Sequence, residues 1–281
     1  MEYVAKFDYL QMERNKLVSV IVTTYNRKEM LDETLHSILA QTYQDFELIV
    51  VDNYSDYDFW ELMDSYKSEK IQAYQNHNNG IIAVNRNFGI KRAKGKYLAF
   101  CDDDDLWLPN KLELQVKYME SHDVDIIGTA LILFGKDVEK EEIMYVKYLH
   151  EYEYYYYNFV TPSTVMVKNT GDVVFDETPS INCAEDWAAW MSLYILGYKL
   201  YQMPDALVKY RLTSQNTTKK SKNNVYLRGA RILRILRSCY GNRFKTEYYL
   251  RGLFYQYRMY IHTKFVYPIY KRTLRPLING N

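Results

Sequence analysis

Four short apolar runs rich in β-branched residues, each followed by a segment with helical spacing, constrain the fold of this chain more than any other feature. The first run, residues 17–24 (Leu-Val-Ser-Val-Ile-Val-Thr-Thr), is followed by a helical pattern at Met30, Leu31, Leu35, Ile38 and Leu39. Residues 46–51 form a second run, a third strand is expected near 71–75 after a helix, and a helix over 80–93 leads to a fourth strand at 96–101. Apolar runs of this length read as strands buried on both faces, and their alternation with helices implies a mostly parallel, doubly wound α/β sheet. Such sheets bind ligands at the carboxyl ends of their strands. Three polar clusters fall at those ends, at 24–27, at 52–56 and at the run Asp102-Asp103-Asp104-Asp105, so they are expected to converge on one crevice.

Beyond Pro109, Leu112, Val116 and Met119 mark a helix leading to a strand at 125–134. Residues 135–159 are charged and then tyrosine-rich, and read as an excursion over the crevice. A strand at 163–167 returns to the core, and a helix at 185–196, capped near Asn182 or Ala184, carries Trp187, Trp190, Met191 and Tyr194 as a stripe. An extended segment at 199–212 follows, and the chain is helical and basic from 223 onward. No apolar run reaches the roughly 18 residues of a membrane span, and the charged first sixteen residues lack the apolar core of a signal peptide, so a cytoplasmic protein is expected. Cys101, Cys183 and Cys239 are widely spaced and read as reduced thiols rather than a disulfide or zinc site.

The four aspartates raise an electrostatic problem. Two like charges roughly 5 Å apart repel by about 3 kcal/mol at an effective dielectric near 20, so several ionised together are costly unless a cation is shared. Carboxylates are hard oxygen ligands suited to Mg2+ or Mn2+. The competing reading is a solvated acidic loop that caps a following helix; the position at a strand end, opposite two other polar strand ends, favours the cation.

Five motifs in order, Val18-Ser-Val-Ile-Val-Thr-Thr-Tyr-Asn-Arg27, Gln41-Thr-Tyr43 with Phe46-Glu-Leu-Ile-Val-Val-Asp52, Asn85-Arg-Asn-Phe-Gly89, Phe100-Cys-Asp-Asp-Asp-Asp-Leu-Trp-Leu-Pro109 and Ala184-Glu-Asp-Trp187, resemble those of the family 2 inverting glycosyltransferases. The resemblance implies the Rossmann-like GT-A fold. It divides the chain into an N-terminal extension (1–16), a catalytic domain (17–212, with a nucleotide-sugar half at 17–108 and an acceptor half at 109–212) and a basic amphipathic helical region (213–281). It also implies a nucleotide-sugar donor, expected to be a UDP-sugar, a divalent Mn2+ or Mg2+, and transfer of one sugar to an acceptor hydroxyl with inversion. A lipid-linked glycan of a surface polysaccharide is the acceptor suggested by family analogy.

Carried to this sequence, Thr24 and Asp52 are expected to hold the nucleoside, and Arg86 to lie near the base or diphosphate. Asp104 is expected to ligate the metal, with Asp102 and Asp103 contacting ribose or metal-bound water and Asp105 capping the next helix. Asp186 is the expected base, since an acceptor hydroxyl is a poor nucleophile until its proton is taken; a helix start should keep its carboxylate ionised. Glu185 is expected to orient the acceptor or loop, and Trp187 to offer an apolar face to a sugar ring. Tyr210-Arg-Leu-Thr213 lacks the His that many relatives carry after this Tyr-Arg, which leaves Arg211, or Lys219 and Lys220, to clamp the diphosphate. The alternatives are a catalytically silent GT-A scaffold and a sugar-1-phosphate nucleotidylyltransferase; the second is disfavoured because no Gly-rich phosphate loop is present near the N-terminus.

Charge is divided along the chain. The 281 residues carry 36 basic and 35 acidic side chains, a net of +1. Residues 1–205 hold 19 of the basic and 34 of the acidic groups, whereas residues 206–281 hold 17 basic groups and one acid, Glu247. A basic segment of this kind points to an anionic partner. Arg228, Arg231, Arg234 and Arg237 recur every third residue, with Val225, Tyr226, Ile232, Leu233, Ile235, Leu236 and Tyr240 gathered on one helical half. Tyrosines and Phe254 are interleaved with Arg251, Arg258 and Lys264 further on. This pattern suits an anionic membrane surface met through 225–276, placing the protein at the inner face of the cell membrane. The bland alternative is that the apolar half docks on the catalytic domain. No nucleic-acid partner is expected, because no recognised binding module is present.

Overall fold

The computed structural model describes residues 18–136, 138, 140–145, 151–156, 158, 160–212 and 225–266. Its centre is a twisted sheet containing β1 (Val18–Thr24), β2 (Phe46–Asp52), β3 (Ile71–Gln75), β4 (Tyr97–Asp102), β5 (Leu106–Trp107), β6 (Ile126–Phe134), β8 (Met166–Lys168) and β9 (Leu200–Arg211) in the order β3-β2-β1-β4-β8-β6-β9-β5, with β7 (Glu142–Met144) paired to β6. β3, β2, β1 and β4 are parallel, β8 runs antiparallel to both neighbours, and β6 and β9 pair in parallel. The expected mostly parallel, doubly wound sheet is therefore present.

Every residue of β1 and β2 is buried, as expected of strands covered on both faces. Period-two alternation sends successive side chains to opposite layers. Val18, Val20, Val22, Leu48 and Val50 pack under α1 (Lys28–Leu39) and α4 (Lys111–Ser121), through Leu31, Leu35, Ile38, Leu112, Val116 and Met119. Ile21, Ile49, Val51, Leu98 and Phe100 pack on the other side with Ala83 of α3 (Ile82–Ile90) and with Ala189, Trp190 and Leu193 of α5 (Glu185–Ile195). The short helix α2 (Phe59–Ser65), capped by the Asp58 carboxylate on the Glu61 N–H, precedes edge strand β3.

The basic region contributes α6 (Val225–Tyr240) and α7 (Thr246–Ile261). Ile232, Leu233 and Leu236 of α6, with Phe244, join Trp187, Ala188 and Met191 of α5 and Tyr155 in a third core. Docking of the apolar half is thus what the structure contains. Two glycines allow the close approach. A Cβ on Gly229 would lie 2.8 Å from Trp187 Cζ3 and 2.6 Å from Gln256 Oε1, and one on Gly252 would lie 3.0 Å from Leu233 Cδ1. Residues 267–276, part of the expected membrane-facing stretch, lie outside the described residues, as do Lys219 and Lys220.

Candidate active site

Register brings the three polar clusters together. Thr24 at the end of β1 is level with Asp52 of β2, and Thr23 with Asp102 of β4. The loops leaving these strands turn through left-handed backbone at Asn26 (φ 53°) and Tyr54 (φ 56°), and the chain enters α5 through Cys183 (φ 69°). Asn accepts that conformation readily, whereas Tyr and Cys adopt it at a steric cost that the surrounding structure must offset. Asn26 ties two of the loops, its N–H donating to Ser55 Oγ and its amide to the Asp56 carboxylate.

The Asp52 carboxylate is fully buried. It accepts the Ser55 N–H at 2.9 Å, the Ser55 hydroxyl at 2.5 Å and the Gln75 amide at 3.0 Å. A carboxylate offers roughly four acceptor positions, so one is left for a further donor. Beside it Tyr54 and His77 stack with ring centroids 3.8 Å apart.

Each member of the Asp run meets a protein partner, and two of them share one. Asp102 Oδ1 pairs with Arg86 Nη2 at 2.7 Å. Arg27, at the start of α1, reaches both Asp103 (2.8 Å) and Asp104 (2.9 Å) through Nη1, and the Thr24 hydroxyl donates to the other oxygen of Asp103 at 2.8 Å. Thr24 and Asp103 therefore order one another. Asp105 does not cap a helix as expected. It is fully buried, and accepts the Ser163 hydroxyl at 2.6 Å and the Arg211 N–H at 3.0 Å. The reason is local: Leu106 and Trp107 pair antiparallel with β9, and Pro109 delays the helix until Lys111. Burial and the neighbouring aspartates push Asp103 and Asp105 above the usual carboxylate range and Asp104 up to about 7, against the pull of Arg27 on Asp103 and Asp104.

Arg86 occupies a place that sequence reading did not give it. It is buried with its guanidinium 5.2 Å from the Phe175 ring, and Nη1 meets Glu185 Oε1 at 2.6 Å. One side chain thus joins the Asp run to the Glu185-Asp186 pair on α5, so Arg86 is an internal bridge. Glu185 Oε2 is buried without a partner among the described residues. Asp186 is held by the Trp187 N–H on Oδ1 (2.8 Å) and the Asn158 amide on Oδ2 (2.7 Å). The helix start was expected to keep Asp186 ionised. Instead, burial first and then Glu185 push its pKa up to about 7, outweighing Arg86 and the Trp187 N–H.

Two other expected residues sit differently from the sequence reading. Trp187 is buried, donates its indole N–H to the Tyr154 carbonyl at 2.9 Å, and is covered by Gly229 of α6, so its face is given to the core and not to a sugar. Arg211 donates from Nε to the Asp104 carbonyl at 2.8 Å, from Nη2 to Glu33 at 2.5 Å, and lies over the Phe134 ring at 4.6 Å. Sequence reading also missed Arg27, Asn158 and Ser163. Arg27 carried a signal, as a cation at a strand end opposite four acids; the other two are single polar residues whose meaning depends on the fold.

Asp102, Asp103 and Asp104 offer hard carboxylate oxygens of the type that Mg2+ or Mn2+ takes, although each is paired with an arginine. Among the described residues no three His, Cys, Asp or Glu side chains are placed to enclose a metal alone. Such an ion commonly takes only one or two carboxylates and completes its shell with phosphate oxygens and water.

This strand-end crevice, with an acidic run beside a helix-borne Glu-Asp pair, is that of a GT-A glycosyltransferase, and residues 19–217 match the model of Glycosyl transferase family 2. The chain belongs to that family. It is 33% identical over 190 residues to the Escherichia coli UDP-Glc:alpha-D-GlcNAc-diphosphoundecaprenol beta-1,3-glucosyltransferase WfaP, covering 66% of this chain and 72% of WfaP. It is 31% identical over 207 residues to TuaG of Bacillus subtilis, a glycosyltransferase assigned to teichuronic acid biosynthesis, covering 71% of this chain and 81% of TuaG. Among solved structures, residues 1–349 of Staphylococcus aureus TarS in complex with UDP-GlcNAc share the fold at TM-score 0.69 and 19% identity, over 92% of this chain and 76% of that one. The Pyrobaculum calidifontis mannosyltransferase PcManGT in complex with GDP-Man and Mn2+ follows at TM-score 0.60 and 16% identity, over 86% and 73%. The protein is a family 2 glycosyltransferase related to those of cell-surface polysaccharides.

Proposed function

We propose that this glycosyltransferase moves one sugar from a UDP-sugar to a hydroxyl of a lipid-linked glycan, with inversion at the anomeric carbon and with Mn2+ or Mg2+ held through Asp104. The observation that carries the reading is the Arg86 bridge, which pairs with Asp102 of the Asp run and with Glu185 of the Glu185-Asp186 pair, although the two lie far apart in sequence. Asp52, with one acceptor position left, takes an N–H or hydroxyl of the nucleoside, and Thr24 and Asp103 complete that wall of the crevice. Asp102 and Asp103 face ribose or metal-bound water. Bound at Asp104, the metal supplies Lewis-acid stabilisation of the charge that develops on the leaving diphosphate. Arg27 borders the same space and adds positive charge to it.

On the acceptor side, Asp186 takes the proton of the attacking hydroxyl. A base raised to about 7 suits this task, because a large share of it is ionised near neutral pH while it stays basic enough to accept the proton. Glu185, held through Oε1 by Arg86, orients the acceptor or its loop. WfaP, whose name specifies UDP-Glc and a diphosphoundecaprenol-linked acceptor, supports both the donor and the acceptor class. The test is UDP release from UDP-Glc and UDP-GlcNAc with Mn2+. Wild type hydrolyses or transfers the donor; Asp104→Ala loses both activities. Asp186→Asn keeps UDP affinity and loses transfer, and full transfer by Asp186→Asn overturns the base assignment.

The reading extends to the membrane through α7. Its outer face exposes Leu250, Phe254 and Ile261, with Arg251, Arg258 and Lys264 beside them. Among the described residues no helix is long and apolar enough to cross a bilayer. Basic, aromatic faces of this kind lie on anionic lipid surfaces, each Lys or Arg contributing about 1 kcal/mol. Sedimentation with phosphatidylglycerol vesicles should be lost in the Leu250→Glu, Phe254→Glu double variant, and equal binding to phosphatidylcholine would remove the electrostatic part of this reading.

A further inference from the structure

One residue of the excursion touches the reaction centre without belonging to any motif. Asn158 donates from Nδ2 to Asp186 Oδ2 at 2.7 Å, while its Oδ1 accepts the Val160 N–H at 3.2 Å. The second bond settles the amide's orientation, because the Val160 N–H needs an oxygen opposite it, and that turns the NH2 group to Asp186. Asp186 therefore has a donor on each oxygen, Trp187 N–H on one and Asn158 on the other. Its charged and titratable neighbours are Glu185 on its own helix, Arg86 on α3, Asp102 at the end of β4 and Tyr210 on β9. Glu185 and Asp102 disfavour its negative charge and Arg86 favours it.

We propose that Asn158 is a positioning residue for the base: it fixes the rotamer of the Asp186 carboxylate and supports its ionised form. This rests on Asp186 being the base. The bond to Oδ2 leaves the second lone pair of that oxygen for the incoming hydroxyl, so the residue orients the carboxylate without consuming it.

The test uses two variants that separate this role from a purely structural one. Asn158→Asp keeps an oxygen for the Val160 N–H but replaces the donor to Asp186 with a like charge. Asn158→Ala removes both bonds. If the residue only shapes the loop, Asn158→Asp behaves as wild type and Asn158→Ala is the worse of the two. If it serves the base, the order reverses. In Asn158→Asp the acid limb of the kcat/KM profile then moves up by about one pH unit or more, which is tenfold in rate below the limb for each unit. Asn158→Ala gives a smaller upward shift, and UDP affinity by calorimetry stays within twofold in both. An unshifted profile in Asn158→Asp, with Asp186→Asn inactive, overturns this proposal alone. An active Asp186→Asn overturns the base assignment on which it rests.

Discussion

Replacing Arg86 by Met keeps most of the side chain's length and removes its charge. The guanidinium makes contacts of 2.6 Å to Glu185 and 2.7 Å to Asp102, and its own side chain and that of Glu185 are each only 5% exposed. Removing one partner of such a buried pair costs about 3–5 kcal/mol, because the carboxylate left behind has neither water nor a donor. Asp102 is 27% exposed and regains some hydration, which places the expected loss near the lower end, about 3 kcal/mol. For a chain of this size each kcal/mol moves the melting temperature by roughly 2–4 °C, so Arg86→Met should melt about 6–12 °C below wild type. Arg86 also lowers the Asp186 pKa, so the acid limb of kcat/KM should rise in the same variant. Arg86→Lys, able to reach one carboxylate but not to fork between two, should recover part of the melting temperature. Differential scanning fluorimetry and a pH–rate series read both effects. A melting temperature within 2 °C of wild type would show that the bridge is not a buried, desolvated contact in solution.

Other perturbations follow from the same site. The wild-type kcat/KM should fall about tenfold per unit below pH 7, since Asp186, with a pKa of about 7, must be ionised to act. Asp104 and Asp186 are both raised from 3.8 to about 7, so the folded state holds more protons than the unfolded one between these values, and stability is lost as pH rises through that window. Asp104→Asn should accordingly melt above wild type at pH 8 in the absence of metal, with the gain vanishing towards pH 4; a gain that grows on acidification would reverse the sign of this reasoning. Gly229→Ala places a methyl group against Trp187 and Gln256 and should destabilise by about 1–3 kcal/mol despite the better helix former, read as a lower urea midpoint.

The sheet and the crevice were legible because they rest on local signals. Burial on both faces writes itself as uninterrupted runs at Val18 to Thr24 and Phe46 to Asp52, and the polar residues ending each run mark where the strands stop. The wiring within the crevice was not legible. Which cation answers which aspartate depends on distances between β4, α1 and α3, and nothing in the spacing of Arg27 or Arg86 distinguishes a bridge from a ligand-facing arginine. Trp187 was read as a sugar platform because it follows Glu185-Asp186, but the next helical turns of α5 form a core face, and α6 covers that face where Gly229 allows contact. The sequence suggests a helix cap at Asp105 because a strand of two residues, Leu106–Trp107, carries almost no signal of its own; its partner β9 lies about a hundred residues away.

The near-zero total charge invites the idea that the basic region neutralises the acidic crevice. The contacts argue otherwise. The aspartates are answered by Arg27 and Arg86, which belong to the acidic 205 residues, and by the backbone of Arg211 at the end of β9. The helices α6 and α7 attach through Ile232, Leu233, Leu236 and Phe244, an apolar junction that needs no charge. Arg237 donates to the Gly241 and Phe244 carbonyls and to Thr246, Arg251 pairs with Glu247, and Arg234 donates to Tyr257, all within the basic region itself. Contacts of that kind organise the guanidinium groups without cancelling most of their charge, since one acid accompanies the whole segment. On α7 the exposed Arg258 stands beside the exposed Leu250, Phe254 and Ile261, and the proposed contact with an anionic surface rests on that pairing of charge and apolar side chains.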